Sequence, residues 1–438
     1  MIASDAFRDR NYAVLGLARS GLATVEALAA SGARIMAWDS REEARTTVAA
    51  MFSGEGGGAV KLADPMTTAL YGMHGVVVSP GVPLNRHPIA ERAREAKVPL
   101  IGDIELFAQA RPSLPPHKVV GITGTNGKST VTALVHHILR IAGVPTTMAG
   151  NIGLPILGQE SLPEGGVYVL ELSSYQIDLT QSLDCDVSVL LNITPDHLDR
   201  YDDVDDYAAS KARLFAMQSP ENVAVIAAED DYTRAIAGQL GGKRVLVAST
   251  DVRDQSCWPS LQGPHNAQNA AAAVAVARVL GIDDTVIARA LASFAGLPHR
   301  MERVAEKGGV LFVNDSKATN PTSTAPALAA YPPDPEKRIH WILGGLPKSD
   351  DLDACEPYYD HVKGAYTIGE AGPMFARLLA GRLPVIECEM LIEAVATAAG
   401  AARPGEVVLL SPACASFDQF RDYEARGDAF RAAVEALA

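Results

Sequence analysis

KVVGITGTNGKSTVTALVHHIL (118–139) decides the fold. A β-branched run, KVVGI, gives way to a glycine-rich turn and then to the helical pattern VTALVHHIL. At such a junction the backbone N–H groups of the turn can surround phosphate oxygens, and the helix N-terminus adds a favourable dipole. Lys128 supplies a cation for the β- and γ-phosphates, and the Ser129 hydroxyl can ligate magnesium. The strict Walker spelling needs glycine six residues before the lysine, where Ile122 stands. The turn is therefore a variant, G-T-x-G-K-S, carried by its context. Gly124, Thr125, Asn126, Gly127, Lys128, Ser129 and Thr130 are the expected ATP-phosphate cradle; a strand–helix turn without nucleotide is the competing reading.

Around this stretch, short β-rich runs alternate with longer helical patterns, the signature of parallel sheets with helical crossovers. NYAVLGL (11–17), ARIMAWD (33–39) and GVVVSPG (75–81) read as strands, with a helix from Gly21 to Ser31. VYVLEL (167–172) and CDVSVLLNI (185–193) continue the phosphate-loop unit, closed by an alanine-rich helix after His265 and another from about Asp283. GVLFVND (309–315), RIHWILGG (338–345), GAYTIG (364–369) and EVVLLSP (406–412) are strands of a third unit. RPSLPPHK (111–118), with three prolines, reads as an extended connector or surface loop, and FAGLPHRME (294–302) as a hinge. Three α/β domains follow.

Composition narrows the function. The chain has 438 residues, 48% of them apolar, enough for several cores and incompatible with disorder. Its formal net charge of −14 disfavours nonspecific binding to nucleic acid or anionic membrane. Five scattered cysteines with no CxxC pair argue for a reducing compartment. The N-terminal MIASDAFRDRNYAVLGL has too short an apolar run for a signal peptide, and no stretch reaches the roughly 18 apolar residues of a membrane span. The expectation is a cytoplasmic protein with neither nucleic acid nor membrane as partner.

GLARSG (16–21) stands where a dinucleotide fingerprint belongs, with Asp39 placed 23 residues after Gly16, as a ribose-binding acid would be. Ala18 replaces the middle glycine, and its methyl restricts close approach of a pyrophosphate. The turn is either purely structural or adapted to another nucleotide-like ligand. Glu171 ends its strand at the edge where open sheets bind ligands, and a carboxylate there can hold magnesium. His197, beside Asp196 and Asp199, suits a metal ligand or a helix cap equally. Lys211, in YAASKARLF, reads on composition as a solvated helix lysine. In HNAQN (265–269), Asn266 and Asn269 share a helix face and suit an adenine edge or an N-terminal cap.

The order of motifs says more than any one of them. GTNGKST, GNIG (150–153), LELSSYQ, TPDHLDRY (194–201), SKARLF, HNAQN, GLPHRME, NDSKATNP (314–321), GGLPKSDD (344–351) and SPACASFDQF (411–420) together resemble the Mur ligases over nearly the whole chain. NDSKATN and ACAS-DQF point to the members that add D-glutamate. The resemblance implies a Rossmann-like N-terminal domain (1–105), a central P-loop ATPase-type parallel-sheet domain (106–297) and a C-terminal Rossmann-like α/β domain (298–438). It implies a monomer that uses ATP and Mg2+, with Mn2+ as a substitute, to join D-glutamate to UDP-N-acetylmuramoyl-L-alanine in cytoplasmic peptidoglycan synthesis.

Site residues carry over with the motifs. Arg19, Ser20, Asp39, Ser40, Ser79 and Gly81 match the positions contacting uracil and diphosphate, and Asn151 matches the muramoyl side. Glu171 and His197 match magnesium ligands beside Ser129, and Lys211 matches a carbamylated lysine that completes the metal set. Asn266 and Asn269 fall at adenine, Arg300 and Lys317 at the ATP phosphates, and Asp315 at the ribose. Thr319, Lys348, Ser416, Phe417 and Tyr423 match the D-glutamate site. Leu346-Pro347 replaces a more polar pair and stiffens the loop of Lys348, and Tyr423 stands where phenylalanine is usual. The competing functions are another Mur ligase, a folylpolyglutamate synthase-like amide ligase, and a non-catalytic nucleotide-binding regulator. The last has no need of Glu171, Lys211 and Lys348.

Overall fold

The computed structural model describes residues 1–53, 57–197 and 200–437. Three sheets follow one another along the chain. The first holds β1 (Asn11–Leu15), β2 (Arg34–Trp38), β3 (Val60–Leu62), β4 (Gly75–Val78) and β5 (Leu100–Ile101), all parallel, in the order β3-β2-β1-β4-β5. The second holds β6 (His117–Thr123), β7 (Thr146–Gly150), β8 (Gly166–Glu171), β9 (Val187–Leu190), β10 (Val223–Ala227) and β11 (Lys243–Val247), also parallel, in the order β11-β10-β9-β6-β8-β7. The central strands of both are buried along their length, which is why GVVV and VYVLE read as unbroken apolar runs.

The third sheet holds β12 (Glu302–Lys307), β13 (Val310–Asn314), β14 (Ile339–Gly344), β15 (Val362–Ile368), β16 (Val385–Glu389) and β17 (Val407–Leu410), in the order β12-β13-β17-β14-β15-β16. Only the edge strand β12 runs antiparallel. In each sheet the strand order reverses next to a central strand: β1 with β4, β6 with β9, β17 with β13 and β14. Crevices at the carboxyl ends of such strands are where open α/β sheets take ligands.

By contact the chain divides into two compact units, 1–248 with 271–290, and 249–270 with 291–438. The first two sheets thus share one unit and one continuous apolar core, which includes Ile104, Phe107 and Tyr168. The helix Asp103–Ala110 joins them, and the expected domain boundary at 105/106 falls inside it. From this helix Glu105, almost fully buried, accepts from Gln181 N at 2.7 Å, Ser182 N at 2.9 Å and Ser182 Oγ at 2.8 Å. The segment 111–118, expected to be an extended connector or surface loop, begins with a 3-10 turn, Arg111–Ser113, and is largely exposed, as a surface loop would be. Arg111 is tied to the Asp184 carbonyl and, at 3.3 Å, to Asp186, which anchors the start of this proline-rich stretch.

Candidate active site

The turn after β6 has the shape its glycines require. Gly124 and Gly127 take φ of 147° and 83°, values that L side chains avoid. Gly127 caps the helix Lys128–Ile141 with no side-chain bond, so the first-turn amides keep room for an external acceptor. The turn is pinned from the neighbouring strand end: Asn192 O accepts from Thr125 N at 2.8 Å, and Asn192 Oδ1 from Asn126 N at 2.8 Å. Asn192 carried no sequence signal, because it looks like the polar end of an apolar strand. Lys128 Nζ folds back onto the carbonyls of Gly124 and Thr125, at 2.9 and 2.7 Å.

Three sequence elements converge on Glu171, which is 2% exposed. Ser129 Oγ donates to Glu171 Oε2 at 2.5 Å, and Asn151 Nδ2 to Oε1 at 2.9 Å. Gly150 permits this approach: with φ of 96°, a Cβ there would sit 2.1 Å from the Glu171 carbonyl. Phosphate loop, acidic strand end and GNIG turn therefore meet at one carboxylate.

Lys211 is buried rather than solvated, at 1% exposure in the helix Val204–Ala216. Its Nζ donates to Gly124 O at 2.9 Å and lies 4.3 Å from the Tyr207 ring centre. Burial first, and then the charge of Lys128, push the amine well below the usual lysine range; Asp196 and Asp178 oppose them. His197 has φ of 56°, takes a 2.9 Å bond from its own N–H to Asp196 Oδ1, and packs against Tyr175 at 4.9 Å between rings. Asp199 lies outside the described residues.

The altered fingerprint is a cradle of its own. A Cβ on Gly21 would lie 1.8 Å from Gly16 O, so the third glycine serves close packing. Ser79 Oγ donates to Gly16 O at 3.0 Å, joining the loops after β1 and β4; Gly81 follows with open space at its α-carbon. Ala18 caps the helix Arg19–Ala30 with no side-chain bond. Asp39 accepts from Leu17 N at 2.7 Å and Arg41 N at 2.9 Å. Burial would raise its pKa, but Arg41 and these amides outweigh it and hold the carboxyl at about 2. Arg19 Nη2 reaches Gly153 O at 3.0 Å, linking this cradle to the turn of Asn151. Ser20 and Ser40 lend their carbonyls to Thr24 Oγ1 and Arg45.

In the second unit Asn266 and Asn269 are buried and share a 3.1 Å bond, Asn269 Nδ2 to Asn266 Oδ1. Asp315 accepts from Ser411 Oγ at 2.8 Å and Met301 N at 3.2 Å, next to Arg300; burial lifts its carboxyl to about 7. Lys317 Nζ lies 4.0 Å from the Tyr423 ring centre. Lys348 Nζ donates to Thr319 Oγ1 at 3.1 Å. Ser416 is buried, and Phe417 is 67% exposed beside it.

Among the described residues no group of three His, Cys, Asp or Glu is close enough to hold a metal. Ser129 and Glu171 nevertheless fit magnesium, which favours oxygen donors and takes few carboxylates, filling its shell with water and substrate phosphates. No described helix is long and apolar enough to cross a membrane.

Sheet order, loop and carboxylate define a phosphate-loop α/β protein with a second glycine turn after the first strand of its first sheet. Family models match in succession: Mur ligase MurD-like, N-terminal domain (10–102), Mur ligase middle domain (122–262), and Mur ligase, glutamate ligase domain (299–414). The UDP-N-acetylmuramoylalanine--D-glutamate ligase of Novosphingobium aromaticivorans is 65% identical, over all of this chain and 97% of that protein. The enzyme of the same name from Zymomonas mobilis is 57% identical over the whole of both. The solved UDP-N-acetylmuramate-alanine ligase MurC of Thermotoga maritima shares the fold, with TM-score 0.56 and 17% identity over 98% of this chain and 99% of that one. The chain belongs to the Mur ligase family, as its motif order led us to expect.

Proposed function

We propose that the chain is an ATP-dependent acid–D-amino-acid ligase joining D-glutamate to UDP-N-acetylmuramoyl-L-alanine in peptidoglycan precursor synthesis. The names of its full-length relatives support the substrates. The observation that carries the chemistry is the meeting of Ser129, Glu171 and Asn151, which brings phosphate, metal and acceptor functions to one point.

A carboxylate is a poor electrophile because its charge is delocalised. Transfer of the ATP γ-phosphoryl to the terminal L-alanine carboxylate gives an acyl phosphate with a good leaving group. The neutral amine of D-glutamate then attacks the carbonyl carbon, the C–O bond breaks, phosphate leaves, and the amine loses its proton. Both partners of the first step are anions, so cations must offset their repulsion. Lys128 supplies the first of these charges by leaving its own loop carbonyls for phosphate oxygens. Arg300 and Lys317 assist from the third domain, and Asn266, Asn269 and Asp315 hold the nucleoside. Ser129, Glu171, His197 and carbamylated Lys211 would hold magnesium, which would neutralise charge on the phosphates when bound; manganese could replace it.

Lys211 takes its part as a carbamate. Carbon dioxide adds only to a neutral amine, forming an N–C bond and releasing a proton; the depressed basicity of Lys211 supports this. The carbamate then places a negative charge near Lys128. Arg19, Ser20, Asp39, Ser40, Ser79 and Gly81 hold the UDP end, with Asn151 on the muramoyl side. Thr319, Lys348, Ser416, Phe417 and Tyr423 receive D-glutamate. The domains so assigned are 1–105, 106–297 and 298–438, in a cytoplasmic monomer.

The test is a single turnover. ADP should form only with UDP-N-acetylmuramoyl-L-alanine present, and steady phosphate release should need D-glutamate and not its L-enantiomer. Turnover with a pteroyl acceptor alone would refute the assignment.

A further inference from the structure

A buried arginine lies beneath the loops of the third sheet, and neither motif nor composition singles it out. Arg426, in the helix Tyr423–Glu435, is 1% exposed. A guanidinium has five N–H donors, and Arg426 makes five hydrogen bonds, none to a carboxylate. Nε donates to Ser316 Oγ at 3.0 Å; Nη1 to Ala415 O at 3.1 Å and Gly344 O at 3.4 Å; Nη2 to Ser316 O at 2.9 Å and Cys414 O at 3.0 Å. Ser316 Oγ in turn donates to Tyr423 O at 2.8 Å, closing the network on the arginine's own helix.

These acceptors sit in three loops at the carboxyl ends of β13, β17 and β14, adjacent strands of the sheet. One loop carries Lys317 and Thr319, the second Ser416, the third Lys348. The backbone makes way for the contact: Gly345 has φ of 130°, and a Cβ there would lie 2.9 Å from Nη1 and 2.3 Å from Ala415 O. The second glycine of GGLPKSDD thus answers first to the Ala415 carbonyl and then to Arg426. Burial lowers its pKa to about 10, and it stays protonated at neutral pH. A buried charge with no bonded anion is costly unless many dipoles solvate it, and here four carbonyl oxygens and a hydroxyl do so, with Asp418 attracting it without a bond.

We propose that Arg426 is the positioning residue of the amino-acid site: it locks the three loops in register, and its charge, bonded to no carboxylate, favours an incoming amino acid with two carboxylates. This rests on the D-glutamate reading above. Register acts on every amino acid alike, whereas charge acts on the side-chain carboxylate, so the two parts separate experimentally.

The variants are R426Q, which loses fork and charge, and R426K, which keeps charge alone. KM for D-glutamate should rise about 30-fold or more in R426Q and less in R426K, with KM for the UDP substrate within about two-fold of wild type. The wild-type preference for D-glutamate over D-glutamine should narrow in R426Q and persist in R426K. If R426Q fails to fold, R426K decides by the same KM comparison, with added guanidinium expected to restore R426A. A folded variant with an unchanged KM for D-glutamate, or KM values rising together for all substrates, overturns the proposal. An inert wild type sinks the ligase reading itself; an active wild type beside an unaffected variant sinks only the role of Arg426.

Discussion

Replacing Lys211 by methionine should make the protein more stable while abolishing turnover. Lysine and methionine have similar length, so the exchange opens little cavity. The bond lost is the one from Nζ to Gly124 O, and that carbonyl retains a second donor, Lys128 Nζ at 2.9 Å. What is removed is the desolvation of an amine that is 1% exposed and repelled by Lys128. Because the folded pKa lies well below the ~10.4 of an exposed lysine, the unfolded chain holds the extra proton between those two values. Wild-type stability therefore rises with pH across that window, by up to about 1.4 kcal/mol per unit from this group, and falls toward lower pH. K211M lacks the term, so its advantage is greatest at low pH and shrinks as pH rises. Urea denaturation in carbon dioxide-free buffer between about pH 7 and 9 measures it. A variant less stable than wild type throughout, or one with an identical pH slope, would refute the reasoning.

Asp315→Asn tests the opposite sign. A carboxyl raised to about 7 keeps its proton in the folded chain while the unfolded one, near 3.9, has lost it. Its contribution to stability therefore falls as pH climbs from about 4 to 7, and D315N should flatten that slope in thermal melts followed over the same range. Glu171→Gln keeps the shape but not the charge, and should lower the rate of ADP formation about 100-fold or more, with the midpoint of a magnesium titration moved upward. Near-normal turnover at ordinary magnesium would contradict its metal role. Glu105→Ala leaves two amides and a hydroxyl without their acceptor and should cost about 2–4 kcal/mol, read as a lower urea midpoint.

Much of this arrangement was legible because parallel strands are buried on both faces and loops at their ends have few ways to bind phosphate. KVVGI, VYVLEL and EVVLLSP fall on β6, β8 and β17. Several strands escaped: Val60–Leu62 is three residues long, Lys243–Val247 opens on two cations, Val223–Ala227 went unread despite its apolar run, and the edge strand Glu302–Lys307 begins inside a segment that reads as hinge. Charged residues were the least legible. Lys211 and Arg426 look like surface cations in amphipathic helices, yet both are buried, because the carbonyls that solvate them come from loops up to 110 residues distant in sequence. Local pattern holds no record of such partners. Motif order did better for Lys211, and had nothing to offer for Asn192 or Arg426.

The grip of Glu105 on the backbone at 181–182 fixes a distance as well as a fold. With the first two sheets clamped into one body, the loops after β1 and β4 and the phosphate loop are set apart like the jaws of a calliper locked at one opening.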